Sequence, residues 1–300
     1  MKIVVLITGS LRDKSQFIQV VDGALALAEL FPQVVDVRLA STDEKSTILS
    51  GTSQWSHRSD FHVICSDPPS IVVKGHRLHQ LRQLDSGIEG LEPDTWVLKL
   101  RTDKLVLSVE QLTLCIRRVA AAEESHAGKF GILEGHLFLP WFINDMAFFA
   151  QVRSLREIIA FDVAGDIIAP NLATEQVIWS RLLAEDTNDF FKSVCCFPQV
   201  NQLRSRRDGQ SASDISQTFE PLRNILRRYW QVLHTRFFPI TDSRFKNQYC
   251  LKVCGIELIS DRIFTRYDDW GASFTDPSIF RELLYQVDMG NRSQVSRIIL

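Results

Sequence analysis

No stretch of ~18 uninterrupted apolar residues occurs in this chain, so no helix is expected to cross a bilayer. The longest candidate, residues 132 to 150, is broken by Glu134, His136, Asn144 and Asp145. An excess of positive charge is also missing: the formal net charge is -2 and the pI about 6.4. Without a global positive field to drive counterion release, nucleic acid is excluded as an expected partner. The opening Met1–Ile7 is too short for a secretory core, and six cysteines (Cys65, Cys115, Cys195, Cys196, Cys250, Cys254) are scattered along the chain. A disulfide framework is therefore not expected, and a reducing, cytoplasmic compartment fits.

Several catalytic signatures are absent as well. Gly9 lacks the companion glycines of a dinucleotide fingerprint, and there is no phosphate-binding loop, no His-Glu-x-x-His and no Cys-x-x-Cys. Cys250 and Cys254 have no nearby histidine and read as core thiols rather than zinc ligands. Ser211 and Ser213 lack the glycines of a nucleophile elbow. There is no internal repeat and no low-complexity tract.

What is present is an ordinary globular composition, 45% hydrophobic and 23% charged over 300 residues, enough for one large α/β domain or a catalytic core with an appended lobe. Short β-branched runs alternate with helical patterns through the first half, the pattern of βα units feeding a mostly parallel sheet. Strands are expected over Ile3–Ile7, Val34–Leu39, Phe61–Cys65 and Trp96–Arg101. Between them, helical spacing is carried by Phe17, Val20, Val21, Leu25, Leu27 and Ala28, and again by Leu78, Leu81, Leu84, Ile88 and Leu91, with Gly90 weakening the end of the second helix. A further helix is expected over Gln111–Ala122.

After the apolar run Phe130–Phe142, Asn144 or Asp145 is expected to cap a helix whose core face is Phe148, Phe149, Val152, Leu155 and Ile159. Thr174 is a cap candidate for the helix Glu175–Leu183. Residues 201–216 are polar and read as a loop or linker. Beyond it, Phe219, Leu222, Leu226, Tyr229 and Leu233 stripe one helix, and Thr275-Asp276-Pro277 starts another over Ser278–Val287. The domain reading is a core over residues 1–200 and a helical region over 201–300 that shapes the acceptor site.

Three segments carry a family resemblance. They are Leu81-Arg82-Gln83-Leu84-Asp85-Ser86-Gly87-Ile88-Glu89-Gly90-Leu91, then Val97-Leu98-Lys99-Leu100-Arg101-Thr102-Asp103, and then Asn144-Asp145-Met146-Ala147-Phe148-Phe149-Ala150. In order and separation they resemble the WavE-like lipopolysaccharide-synthesis glycosyltransferases, and Thr174-Glu175-Gln176 falls where related sequences often carry Glu-Gln. Ala150 stands where that family usually has glycine, and Thr8-Gly9-Ser10-Leu11-Arg12 where a Gly-Pro pair is common. The resemblance implies a GT-A-like (Rossmann-like) α/β fold, a mixed, mostly parallel sheet flanked by helices with a helical C-terminal part. It also implies a nucleotide-sugar donor and a glycan or lipid-linked glycan acceptor.

Such a transfer needs negative charge stabilised on the departing phosphate, by a divalent cation or by fixed Lys, Arg and backbone donors. On the resemblance, Asp103 stands at the last acid of the usual Asp-x-Asp and is the candidate ligand for Mg2+ or Mn2+, while Arg101 replaces the first acid and leaves a metal-independent site open. Candidate donor-binding residues are Thr8, Gly9, Ser10 and Arg12 after the first strand, Arg82 on a polar helix face, and Lys99, Arg101 and Asp103 on the fourth strand. A plain turn accounts equally well for Gly9, and solvated side chains for Arg82. The proton acceptor for an acceptor hydroxyl is expected to be Asp145, with Glu175 second; either acid also suits a helix cap. Glu134, His136 and Trp141 are candidates for an acceptor pocket, and the adjoining basic and aromatic residues Arg227, Arg228, Tyr229 and Trp230 for peripheral membrane contact. Two rival readings belong to other classes: a non-catalytic glycan- or partner-binding relative, and a nucleotidyltransferase, which lacks here a second acidic cluster.

Overall fold

The computed structural model describes residues 1–69, 77–103, 107–132, 143–159, 175, 178–179, 181–183, 232 and 235–240. Its centre is β1 (Ile3–Thr8), in which every residue is buried. Two faces of the strand are used: Val5 and Ile7 join the core under α1 (Lys14–Leu30) and α4 (Val109–Ala121), whereas Leu6 meets α3 (Arg77–Ile88) on the other side. A continuous run of branched apolar residues is what a strand covered by helices on both faces requires.

The helices begin where their side chains satisfy the first-turn N–H groups. Asp13 accepts from the N–H groups of Ser15 and Gln16 ahead of α1. Ser108 and Gln111 form a reciprocal capping box ahead of α4, burying Leu112, Cys115, Ile116 and Val119. α3 ends at a left-handed glycine, Gly90, with φ 73°, and Arg38 donates from Nη1 to the terminal carbonyls of Gly87 (3.1 Å) and Glu89 (3.0 Å).

Seven strands form one sheet. β2 (Val34–Ser41) and then β3 (Phe61–Cys65) extend the sheet from one edge of β1, and β4 (Trp96–Arg101), β6 (Phe148–Gln151), β5 (Phe130–Ile132) and β7 (Phe237–Pro239) extend it from the other, in the order β3-β2-β1-β4-β6-β5-β7. β1 pairs in parallel with β2 and β4, β2 with β3, and β5 with β7, whereas β6 runs antiparallel to both neighbours. The expected class, α/β with a mixed, mostly parallel sheet flanked by helices, is the one observed. Two short helices the sequence pattern leaves unmarked, α2 (Lys45–Thr52) and α5 (Glu123–His126), fill connections.

One expected element differs. Phe148–Gln151 is the strand β6, and the helix begins only at Val152, as α6 (Val152–Ile159). All four β6 residues are buried between β4 and β5, and an apolar run buried on both faces has no periodicity that separates strand from helix. Asp145 and Asn144 therefore cap no helix at Phe148. Asn144 Oδ1 instead accepts from the Met146 N–H at 2.8 Å, a local turn that leads the chain into β6.

The chain divides into two compact units. One comprises Met1–Leu133, Asn144–Val163 and Arg236–Thr241 and holds the whole sheet. The other comprises Glu134–Ile143, Ala164–Thr235 and Asp242–Leu300; within it the buried Trp179 indole donates to the Ile143 carbonyl at 2.9 Å. The expected boundary near residue 200, the polar stretch 201–216, the striped helix 219–233 with Arg227–Trp230, and the helix 278–287 lie outside the described residues, as do Glu134, His136 and Trp141.

Candidate functional site

In an open α/β sheet the carboxyl ends of the strands leave a crevice where neighbouring connections depart to opposite sides, and ligands bind there. β1 is that point in this sheet, with β2 on one flank and β4 on the other. The register sets Thr8, the last residue of β1, directly beside Arg101, the last of β4.

The two strand ends are bound tightly to each other. Thr102 N–H donates to the Thr8 carbonyl at 3.0 Å, and its Oγ1 donates to the Ser10 carbonyl at 2.8 Å. Gly9 has φ 133°, and a Cβ there would stand 2.3 Å from Thr102 Oγ1. No other residue fits this position without displacing the turn of β4. Arg12 donates its N–H to Ser10 O at 3.0 Å and leaves an exposed side chain at the rim.

Beyond β4 the charged groups converge. Arg101 makes a two-pronged bond to Asp103, Nε to Oδ1 at 2.9 Å and Nη2 to Oδ2 at 2.7 Å, while its Nη1 lies 3.8 Å from Asp145 Oδ1. Burial opposes ionisation of Asp103, but the hydrogen bonds and charge of Arg101, helped by the charge of Lys99, outweigh it and hold the carboxyl below the usual carboxylate range. The Arg101 side chain remains 29% exposed and that of Asp145 only 4%. Asp145 Oδ2 is buried without a hydrogen-bond partner, a costly state for a carboxylate oxygen outside a site that uses it.

Lys99 is placed differently from the other candidates. It is 1% exposed, its ammonium donates to the backbone carbonyl of Asp145, and it lies 5.5 Å from the centre of the Phe148 ring. A buried ammonium is costly unless it is partnered, and the carbonyl and the aromatic face are two of its partners. Lys99 is thus buried, tied to the Asp145 backbone, and acts on Asp103 through its charge.

The structure brings Thr8, Gly9, Ser10, Arg101, Asp103 and Asp145 to the switch point. It places Arg82 elsewhere, in a separate groove along α3, and Glu175, helical and half-buried, in the second compact unit. Asp43 is a residue that motif reasoning passes over. It follows the carboxyl end of β2 and accepts from the Leu11 N–H at 2.8 Å through Oδ2, so a third strand end contributes an acid to the same turn. The signal was the polar run Ser41-Thr42-Asp43 at the end of β2, similar to Thr102-Asp103 after β4.

The described residues fit a divalent cation poorly. Hard cations take several oxygen ligands, yet both oxygens of Asp103 are committed to Arg101 and a guanidinium stands between the two carboxylates. No group of three or more His, Cys, Asp or Glu gathers among the described residues. No described helix is long and apolar enough to cross a membrane.

No family model and no curated protein matches the chain. Among solved structures, Staphylococcus aureus TarS (residues 1–349) aligns over 100% of this chain and 90% of its own at 13% identity and a TM-score of 0.41. The 2-C-methyl-D-erythritol 4-phosphate cytidylyltransferase of Francisella tularensis aligns over 59% and 85% at 12% identity and a TM-score of 0.37. A 4-diphosphocytidyl-2C-methyl-D-erythritol synthase aligns over 65% and 97% at 14% identity and a TM-score of 0.33. Similarities this distant assign neither a family nor a reaction to this chain.

Proposed function

We propose that the chain is a glycosyltransferase that moves a sugar from a nucleotide-sugar donor to a hydroxyl of a growing surface glycan, lipopolysaccharide or capsular polysaccharide, on the cytoplasmic side of the membrane. One observation carries the reading. A guanidinium flanked by two carboxylates, one tightly paired and one with an unpartnered buried oxygen, stands beside a glycine turn at the switch point of the sheet. The WavE-like resemblance of the three sequence segments supports it, since two of them supply Arg101, Asp103 and Asp145.

In this mechanism the donor diphosphate lies across the Thr8–Arg12 turn and exchanges part of the Asp103 pairing for its own contact with Arg101. Asp145 Oδ2 takes the proton of the acceptor hydroxyl as that oxygen attacks the anomeric carbon. The bond from the anomeric carbon to the phosphate oxygen breaks, and its electron pair leaves on the nucleotide, where Arg101 stabilises it. Charge neutralisation by Arg101, without a cation, is the form that the donor set favours. Glu175 is the second candidate for the proton acceptor.

The test is a panel of UDP-, GDP- and CMP-linked sugars read by thermal shift and by nucleotide release, with and without Mg2+ or Mn2+. Stabilisation by one donor, lost in Arg101→Ala, is expected; stabilisation by none would end the proposal. Release of pyrophosphate would identify a nucleotidyltransferase instead. In Asp145→Asn, retained donor binding with turnover lowered by at least about 100-fold is expected, and unaltered turnover there with loss in Glu175→Gln would transfer the role to Glu175.

A further inference from the structure

A groove of about 620 Å³ runs between the carboxyl end of β3, the outer face of α3 and α6. It belongs to the same compact unit as the switch point, yet none of Thr8, Gly9, Ser10, Arg101, Asp103 or Asp145 lines it. Its size lies within the range of small-ligand sites, roughly 300–1,000 Å³.

The lining is specific in its chemistry. Arg82, Asp85 and Ser86 lie on one face of α3, at the spacing of three and four that aligns side chains on a helix, and Glu89 follows in the turn after it. Asp67 enters after β3 and Arg156 from α6. Three acidic and two basic residues thus line one space, and none of the five is ion-paired among the described residues. All five are exposed, so their donors and acceptors are open to a ligand.

The composition selects among ligand classes. With one more carboxylate than guanidinium, a phosphate or polyanion meets net repulsion. With Ile64 and Ile88 as the large apolar side chains and no aromatic in the lining, a lipid chain or aromatic ligand finds little to bury against. A neutral molecule that both donates and accepts at many points satisfies the set, because carboxylates accept from hydroxyl pairs and guanidiniums donate to hydroxyl and ring oxygens. We infer that this groove is a binding site for a neutral oligosaccharide, spatially separate from the switch-point site and independent of whether transfer takes place there. β3 lies two strands from β1, about 10 Å by strand spacing, so a bound glycan would sit on the same edge of the sheet as the switch point.

Cys65 reports on occupancy directly, since it lines the groove and is exposed. The full-length protein is treated with iodoacetamide while neutral saccharides (maltotriose, cellotriose, an N-acetylglucosamine trimer) or inorganic phosphate are titrated, and alkylation of the Cys65 peptide is followed by mass spectrometry. Alkylation should slow about tenfold when an effective saccharide is present at ten times its dissociation constant. Asp85→Ala and Arg156→Ala, both exposed positions, should each weaken that protection about tenfold, whereas Arg101→Ala should leave it intact. No protection by any saccharide, protection by phosphate alone, or protection that survives both groove variants would overturn the inference. Donor binding measured in the same variants keeps its failure distinct from failure of the transferase reading.

Discussion

Arg101 concentrates the electrostatics of the switch point, because two acids of unlike burial share its guanidinium. The folded-state pKa of Asp103 is depressed, so its stabilisation is present above the ordinary carboxylate value of about 3.9 and is lost as pH falls through the lower folded value. Arg101→Ala should therefore reduce the loss of stability between pH 5 and pH 2 relative to wild type, measured as urea midpoints across that range; an unchanged acid limb would remove the pair from the account. Gly9 is the other residue whose identity is dictated by geometry. Gly9→Ala forces both a left-handed backbone and a 2.3 Å approach to Thr102 Oγ1, and should cost about 1–3 kcal/mol in denaturant unfolding. Gly9, Arg101 and Asp103 stand out in sequence as residues at strand ends and Asp145 as an acid after an apolar run, and the fold sets them near one another. Motif reading mistook the depth of Lys99, because a lysine in an apolar strand looks the same whether its ammonium reaches water or a buried carbonyl.

The elements built from alternating patterns were the legible ones. β1 to β4, α1, α3 and α4 have caps, glycines and apolar spacing that agree with one another, and each appears within a few residues of its expected place. β6 did not, because its four buried residues acquire their conformation from pairing with β4 and β5. Packing of α3 on the sheet depends on a close approach that only glycine permits: a Cβ on Gly87 would meet Leu6 Cδ1 at 2.4 Å. Gly87→Ala should lower stability by about 1–3 kcal/mol through overpacking, and a neutral result in chemical denaturation would mean α3 shifts freely on β1. In α4, burial pushes the Cys115 thiol up to about 12 despite the nearby Arg118. At pH 8 in native protein, Cys65 should alkylate readily and Cys115 should resist until the fold is unfolded, as peptide-resolved labelling will measure.

Across the whole molecule, stability should weaken in mild acid. Burial, followed by the charges of Lys129 and Arg118, lowers the pKa of His126, whose ring stacks on Phe238 at 3.8 Å between centroids. A histidine kept neutral in the fold takes up a proton preferentially when unfolded, so its contribution is lost as pH falls through about 6.5. Melting temperature should drop between pH 7.5 and pH 5.5, and His126→Gln should flatten that change; a pH slope identical in the variant would assign the effect to other groups.

Sequence by itself determined the α/β class, the strands β1 to β4 and the helices α1, α3 and α4, and the polar residues at strand ends, because these depend on local spacing and capping. Only the tertiary structure decided that Asp103 and Asp145 meet at one guanidinium, that Lys99 turns inward, that Asp43 joins the first turn, and that Arg82 faces a different groove. Those outcomes depend on which strands become neighbours and in which direction β6 runs, and such pairings arise between residues far apart in the chain, where no local pattern reaches.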